Sequence, residues 1–139
     1  MKDGETYTVK GQSEEGIVEQ IRIFANDFER GWKIKEFTIV PRNPGSDVEV
    51  TARLITKELP HSGGLWDWSS NYEVAWAAWN VPASTAGVVY SEYDDKAIVI
   101  DDLYIDINGP ANELVNWSIT LEKLSLKEWE GALAMVRTV

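Results

Sequence analysis

The apolar residues of this chain recur at every second position, and that period restricts the fold more than any other feature. Val115, Trp117, Ile119 and Leu121 alternate with Asn116, Ser118, Thr120 and Glu122. Alternation of this kind places one face of an extended strand on a core and the other in water. Val48, Val50, Ala52 and Leu54 alternate with Glu49, Thr51 and Arg53 in the same way, and Ile21 and Ile23 share a face within 19–24. Segments 6–10, 33–40, 73–79, 88–91 and 97–107 complete a set of about eight strand candidates. Turn residues separate them: Asn26-Asp27, Pro41 to Gly45, Pro60 to Gly64, Pro82, Asp94-Asp95 and Asn108-Gly109-Pro110. The expected fold is all-β, a single antiparallel β-sandwich or barrel. The length of 139 residues suits one domain covering 1–139.

Two strands lose phase partway along. In Trp32 to Ile39 the apolar face moves from Trp32 and Ile34 to Phe37 and Ile39, and in Ile98 to Ile107 the doublet Asp101-Asp102 interrupts the pattern. One inserted residue reverses every later side chain, so a β-bulge is expected at each place. After the last strand the period changes. Ser125-Leu-Lys-Glu128 is a capping-box pattern, and Leu126, Trp129, Leu133 and Val136 follow at helical spacing. A short C-terminal helix over about 126–137 is expected, docked on its own sandwich or on a neighbouring subunit. Gly131 weakens it by about 1 kcal/mol relative to alanine, so the helix depends on that docking.

Charge and composition exclude several functions. Thirteen basic residues stand against 23 acidic ones, a net charge of −10. Phosphate contacts supply most nucleic-acid affinity, and this chain repels a polyanion. No apolar run approaches the roughly 20 residues that span a bilayer, and residues 1–10 carry no apolar signal core. Cysteine is absent, which removes disulfides, thiolate metal sites and thiol nucleophiles. His61 is the only histidine and reads as an exposed loop residue between Pro60 and Gly63-Gly64. It has no Gly-x-Ser-x-Gly nucleophile elbow to serve, and no glycine-rich nucleotide cradle is present. With so many carboxylates, some pair always falls at glycosidase spacing, so that signal has no weight. The reading is non-enzymatic, with no cofactor. Asp101 and Asp102 are weak calcium candidates without an Asp-x-Asp-x-Asp-Gly loop around them; a solvated acidic rim is the plainer reading. Asn116-Trp-Ser118 matches a glycosylation sequon inside a strand and is read as coincidence.

Seven tryptophans are the compositional oddity. Trp66 and Trp68 share a side if 65–68 is extended. Tyr72, Val74, Trp76 and Ala78 then share a face, with Trp79 on the other. Three uses remain open: packing beneath a long loop, a protein interface in which tryptophan is enriched, or a flat platform for sugar rings.

Arg30-Gly-Trp-Lys-Ile-Lys-Glu-Phe-Thr-Ile-Val-Pro41, Leu65-Trp-Asp-Trp68, Val74-Ala-Trp-Ala77 and the closing segments Asp102 to Ile105, Leu114 to Lys123 and Glu128 to Arg137 resemble small virion structural proteins of marine tailed phages and related environmental viruses. The resemblance implies a jelly-roll-like sandwich that assembles into a particle as a capsid, coat or decoration subunit. Copies of itself and other virion proteins would be its partners. The chain lacks the basic arm with which such proteins often touch a genome. Interface elements are then expected in loop 60–68 and helix 126–136, through Trp66, Trp68, Trp76, Trp79, Trp129 and Leu133. The alternative is a carbohydrate-binding module or viral receptor-binding head that uses exposed tryptophans on a glycan.

Overall fold

The computed structural model describes residues 4–23, 30–45, 48–80 and 88–125. Eight strands run in chain order: β1 (Thr6–Glu14), β2 (Glu19–Ile21), β3 (Arg30–Pro41), β4 (Glu49–Ile55), β5 (Glu73–Asn80), β6 (Val88–Tyr93), β7 (Leu103–Asn108) and β8 (Leu114–Ser125). They form a three-stranded sheet in the order β1-β8-β3 and a five-stranded sheet in the order β2-β7-β4-β5-β6. Every pairing is antiparallel. The fold is therefore all-β and sandwich-like, and no helix occurs among the described residues. The expected C-terminal helix, with Trp129 and Leu133, lies outside them.

One continuous core fills the space between the sheets. Ile34, Phe37, Ile39, Val115, Trp117, Ile119 and Leu121 come from the smaller sheet; Val50, Ala52, Leu54, Ala75, Ala77, Leu103, Ile105 and Ile107 come from the larger. The alternation of β8 delivers its odd residues to this core, as its pattern requires. At Trp117 the core needs a missing side chain opposite. Gly11 is paired with Trp117 across β1 and β8, and a Cβ there would lie 2.3 Å from the indole ring. The Trp117 Nε1–H donates to Ser13 Oγ at 2.9 Å, and Ser13 in turn donates to Glu19. That chain satisfies the buried indole without opening the core.

The first phase slip is a bulge. Ile34 pairs with Leu121 and Glu36 with Thr120, which leaves Lys35 as the extra residue of β3. The second is a different event. Val99 and Trp32 exchange two backbone hydrogen bonds of 2.8 Å as an isolated bridge, and β7 begins afresh at Leu103 in the other sheet. The interruption at Asp101-Asp102 is thus a crossing between sheets and not a bulge within one strand. The doublet caps that crossing: Asp102 accepts from the Ile23 N–H at 2.9 Å and from Gln20 Nε2 at 2.7 Å, and Asp101 accepts the Asp102 N–H at 2.8 Å.

A further slip lies in β5. Leu54 pairs with Ala75 but Ile55 pairs with Glu73, so Val74 is an extra residue. This corrects the expected face. Val74, Ala75 and Ala77 point to the core, while Trp76 points to the outer surface of the five-stranded sheet beside Arg53.

Candidate functional site

The outer surface of the five-stranded sheet is roofed, and the roof is the most specifically built part of the molecule. One row across that surface reads Asp106 on β7, Arg53 on β4, Trp76 on β5 and Glu92 on β6, each opposite the next. Alternation predicts that Arg53 lies in water. Instead the segment 56–72 between β4 and β5 folds back over this row and buries Arg53, Glu73 and Asp106.

Arg53 is the hub. Its Nε donates to Asp106 Oδ2 at 2.8 Å, its Nη1 to Glu73 Oε2 at 2.8 Å and its Nη2 to the Pro60 carbonyl at 3.0 Å. The planar guanidinium makes three directed bonds at once, which an ammonium could not reproduce. Each carboxylate also holds the loop. Asp106 Oδ2 accepts the Ser62 N–H at 3.0 Å, and Asp106 Oδ1 lies 2.5 Å from His61 Nδ1. Glu73 Oε1 accepts the Asp67 N–H at 2.9 Å and the Trp76 indole N–H at 2.8 Å. All four carboxylate oxygens are occupied, the condition under which buried charges are tolerable. Burial alone raises the Asp106 carboxyl, but the bonds from His61, Arg53 and Ser62, with the Arg53 charge, outweigh it and hold the group below its ordinary value.

His61 is therefore not the free loop histidine that its setting suggests. It is half-buried, with Nδ1 on Asp106. A carboxylate-oriented imidazole resembles one edge of a catalytic dyad. The adjoining recess, lined by Thr51, Arg53, Ser62, Gly64, Trp66 and Asn108, is too narrow for a water molecule.

The tryptophans divide by use. Trp76 is 7 % exposed and lies under Trp68, ring centroids 5.3 Å apart. Trp66 stacks on Tyr90 at 5.6 Å, and half-buried Trp79 packs against the core from the opposite face of β5. Trp68 and Leu65 remain 61 % and 74 % exposed. Just before Trp68 the Asp67 carboxyl accepts from the Ser69 side chain and backbone, which hold it below its usual range and fix a tight turn. An ordered loop thus presents a tryptophan and a leucine on a base of buried charge. Asp101 and Asp102 lie at the sheet crossing, and no group of three or more potential metal-ligating side chains occurs among the described residues. Asn116 bonds Gln12 across β1 and β8 at 2.9 Å.

Arg53, Glu73 and Asp106 escape sequence reasoning. Arg53 sits between Ala52 and Leu54, and Asp106 between Ile105 and Ile107. Opposite charges inside two strongly apolar strands are the only available signal. An ordinary half-wet sheet gives the same pattern. No protein-family model, curated protein or solved structure matches the chain.

Proposed function

We propose that this protein is a virion structural subunit, of the capsid, coat or decoration kind, that works by self-association into a symmetric assembly within the virion. The observation that carries the reading is the exposure of Leu65 and Trp68 on a loop fastened by buried ionic bonds. Exposed apolar side chains on a mobile loop lose entropy on binding; on a fixed loop that cost is already met by the fold. Tryptophan is among the commonest hot-spot residues of interfaces. Trp76 and Trp79 are committed to packing within the subunit and Trp66 stacks on Tyr90, which leaves Leu65 and Trp68 as the exposed apolar side chains of the loop, while Trp129 and Leu133 lie outside the described residues.

Strand order supports the same reading. The first strand pairs with the eighth, the second with the seventh and the fourth with the fifth. Ser91 of β6 donates to the Phe37 carbonyl of β3, bringing the third and sixth together at one edge. This nesting fits a jelly roll, an architecture of viral shell and lectin domains. Fold alone does not assign function, so the loop is where the reading is tested.

Light scattering across concentration and salt, on the wild type and on Leu65→Ser with Trp68→Ala, is the test. The wild type is expected to form a discrete oligomer or particle, favoured by salt because each subunit carries a charge of −10. The double variant is expected to keep its circular dichroism and to associate at least about thirtyfold more weakly, the equivalent of a hot spot near 2 kcal/mol. A wild type that stays monomeric throughout, or a variant that assembles like it, overturns the proposal.

The second reading, a carbohydrate-binding or receptor-binding sandwich, is favoured by one feature: the Trp68 indole is open to solvent beside the polar Asp67 and Ser69. A monomer whose tryptophan emission shifts with soluble oligosaccharides, and stops doing so in Trp68→Ala, would establish it instead.

A further inference from the structure

The buried cluster under the loop is short of one positive charge. It contains two carboxylates, Glu73 and Asp106, against one guanidinium, Arg53. Nearly every partner of the four carboxylate oxygens is an obligate N–H donor: Arg53 Nε and Nη1, the Ser62 and Asp67 amides and the Trp76 indole. Neither carboxyl has a place for a proton among these. His61 is the exception, because its ring can hold one proton or two. Its Nδ1 meets Asp106 at 2.5 Å while the ring stays partly open to solvent. Solvent can therefore deliver a proton to a ring whose other nitrogen touches the buried charge.

We propose that His61 is a proton-operated latch on the loop 56–72: the imidazolium supplies the missing positive charge, tightens the Asp106 contact and fixes the Leu65–Trp68 crest as the pH falls. The inference rests on the contact role assigned to that crest only for its consequence, not for the latch itself.

The wider surroundings agree with this sign. The charged and titratable groups of the packed elements are Glu49 and Arg53 on β4, Glu73 on β5, Tyr90, Glu92 and Tyr93 on β6, Tyr104 and Asp106 on β7, and Lys57, Glu58, Asp67 and Tyr72 on the loop. Acids outnumber bases among them, so a proton gained at His61 meets net attraction. Histidine is the side chain whose charge ordinarily changes between pH 5 and 8, above the range in which carboxylates titrate. Protonation turns the bond from His61 to the ionised Asp106 carboxylate, already charge-assisted through its acceptor, into an ion pair with charge on both partners.

Amide hydrogen exchange read by NMR tests this on the full chain at pH 5.5, 6.5 and 7.5. Rates are corrected for intrinsic exchange and referred to core amides of β8. The Ser62 and Asp67 amides, which donate to Asp106 and Glu73, report the loop. Their protection is expected to rise about three- to tenfold from pH 7.5 to 5.5, in step with the His61 ring resonances. In His61→Gln, which keeps a neutral donor, the rise should vanish while the β8 amides are unchanged. Flat protection in the wild type, or the same rise in His61→Gln, overturns the latch. Light scattering at the same pH values separates the two proposals. Tighter association at pH 5.5 in the wild type and not in His61→Gln supports both. A working latch with pH-independent association leaves the latch standing and overturns the contact role of the crest.

Discussion

Replacing Arg53 by methionine removes the only guanidinium of the roofed cluster while keeping most of its apolar volume. Two charge-assisted bonds disappear, to Asp106 and Glu73, together with the bond to the Pro60 carbonyl. Bonds of the charged kind contribute about 1.5–3 kcal/mol each, and the neutral one about 1 kcal/mol. The remaining donors, Ser62 and His61 on Asp106 and Asp67 and Trp76 on Glu73, soften the loss. The expected cost is about 3–5 kcal/mol at pH 7, the range for stripping one partner from a buried ion pair. That is a large share of the 5–15 kcal/mol typical of a domain. The pH dependence of the carboxylate contribution should also reverse. In the wild type Asp106 is held below its ordinary value, so its contribution is present above about pH 4 and is lost as the pH falls through the folded-state value. In Arg53→Met the carboxylates are buried without their cation, desolvation dominates, and protonation relieves the cost. The variant should therefore gain stability as the pH drops from 7 toward 5, where the wild type does not lose that of Asp106. Urea unfolding followed by circular dichroism at pH 5, 6 and 7 measures both quantities. A cost below about 1 kcal/mol, or a variant that shows no gain toward pH 5, refutes a charge-held loop.

Three other outcomes follow from the packing. Lys123 continues the core-facing row of β8, is 1 % exposed, and its Nζ has no hydrogen-bond partner; Lys123→Met should raise stability by about 1–3 kcal/mol in urea unfolding, since an unpaired buried amine is exchanged for an apolar chain of similar length. Gly11→Ala drives a methyl group into the Trp117 ring and should cost about 1–3 kcal/mol, with part recovered in the Gly11→Ala, Trp117→Phe pair measured as a double-mutant cycle. Deleting Lys35 removes the extra residue of β3 and joins Ile34 and Glu36 in unbroken register with Leu121 and Thr120; the thermal midpoint should fall little, whereas deletion of Thr38 shifts the register beyond it and should abolish cooperative unfolding.

The strands were readable because alternation is a local signal with one dominant cause. Ile119 and Leu121 are inward for the reason Asn116 is outward, and no distant residue has to be known. The bulge at Lys35 was legible on the same ground, since Trp32 and Ile34 fall out of phase with Phe37 and Ile39. The bulge at Val74 was not. Val74, Ala75, Trp76, Ala77, Ala78 and Trp79 are all apolar, and a run without polar members has no phase to slip. That one residue decides whether Trp76 faces the core or the roof. Asp101-Asp102 failed differently: a break in alternation looks the same whether the strand gains a residue or the chain leaves its sheet.

The roof was invisible for a reason that concerns topology more than pattern. Alternation assigns Arg53 and Asp106 correctly to the outer surface of the five-stranded sheet; its error is to equate that surface with water. Whether an outward side chain is wet depends on what later crosses it, here segment 56–72, in which glycine, serine, proline and asparagine break up any period that would betray a docked position. The loop's fastening is written on three separate strands, in Arg53, Glu73 and Asp106, and each is unremarkable in its own neighbourhood. His61 shows the consequence. Between Pro60 and Gly63 it reads as a free surface residue, yet it reaches Asp106 across 45 residues of chain. A site assembled from single residues on separated strands leaves no spacing to search for. What the sequence does retain is its by-product: Leu65 and Trp68 flanked by turn formers, two large apolar side chains that the fold holds outward.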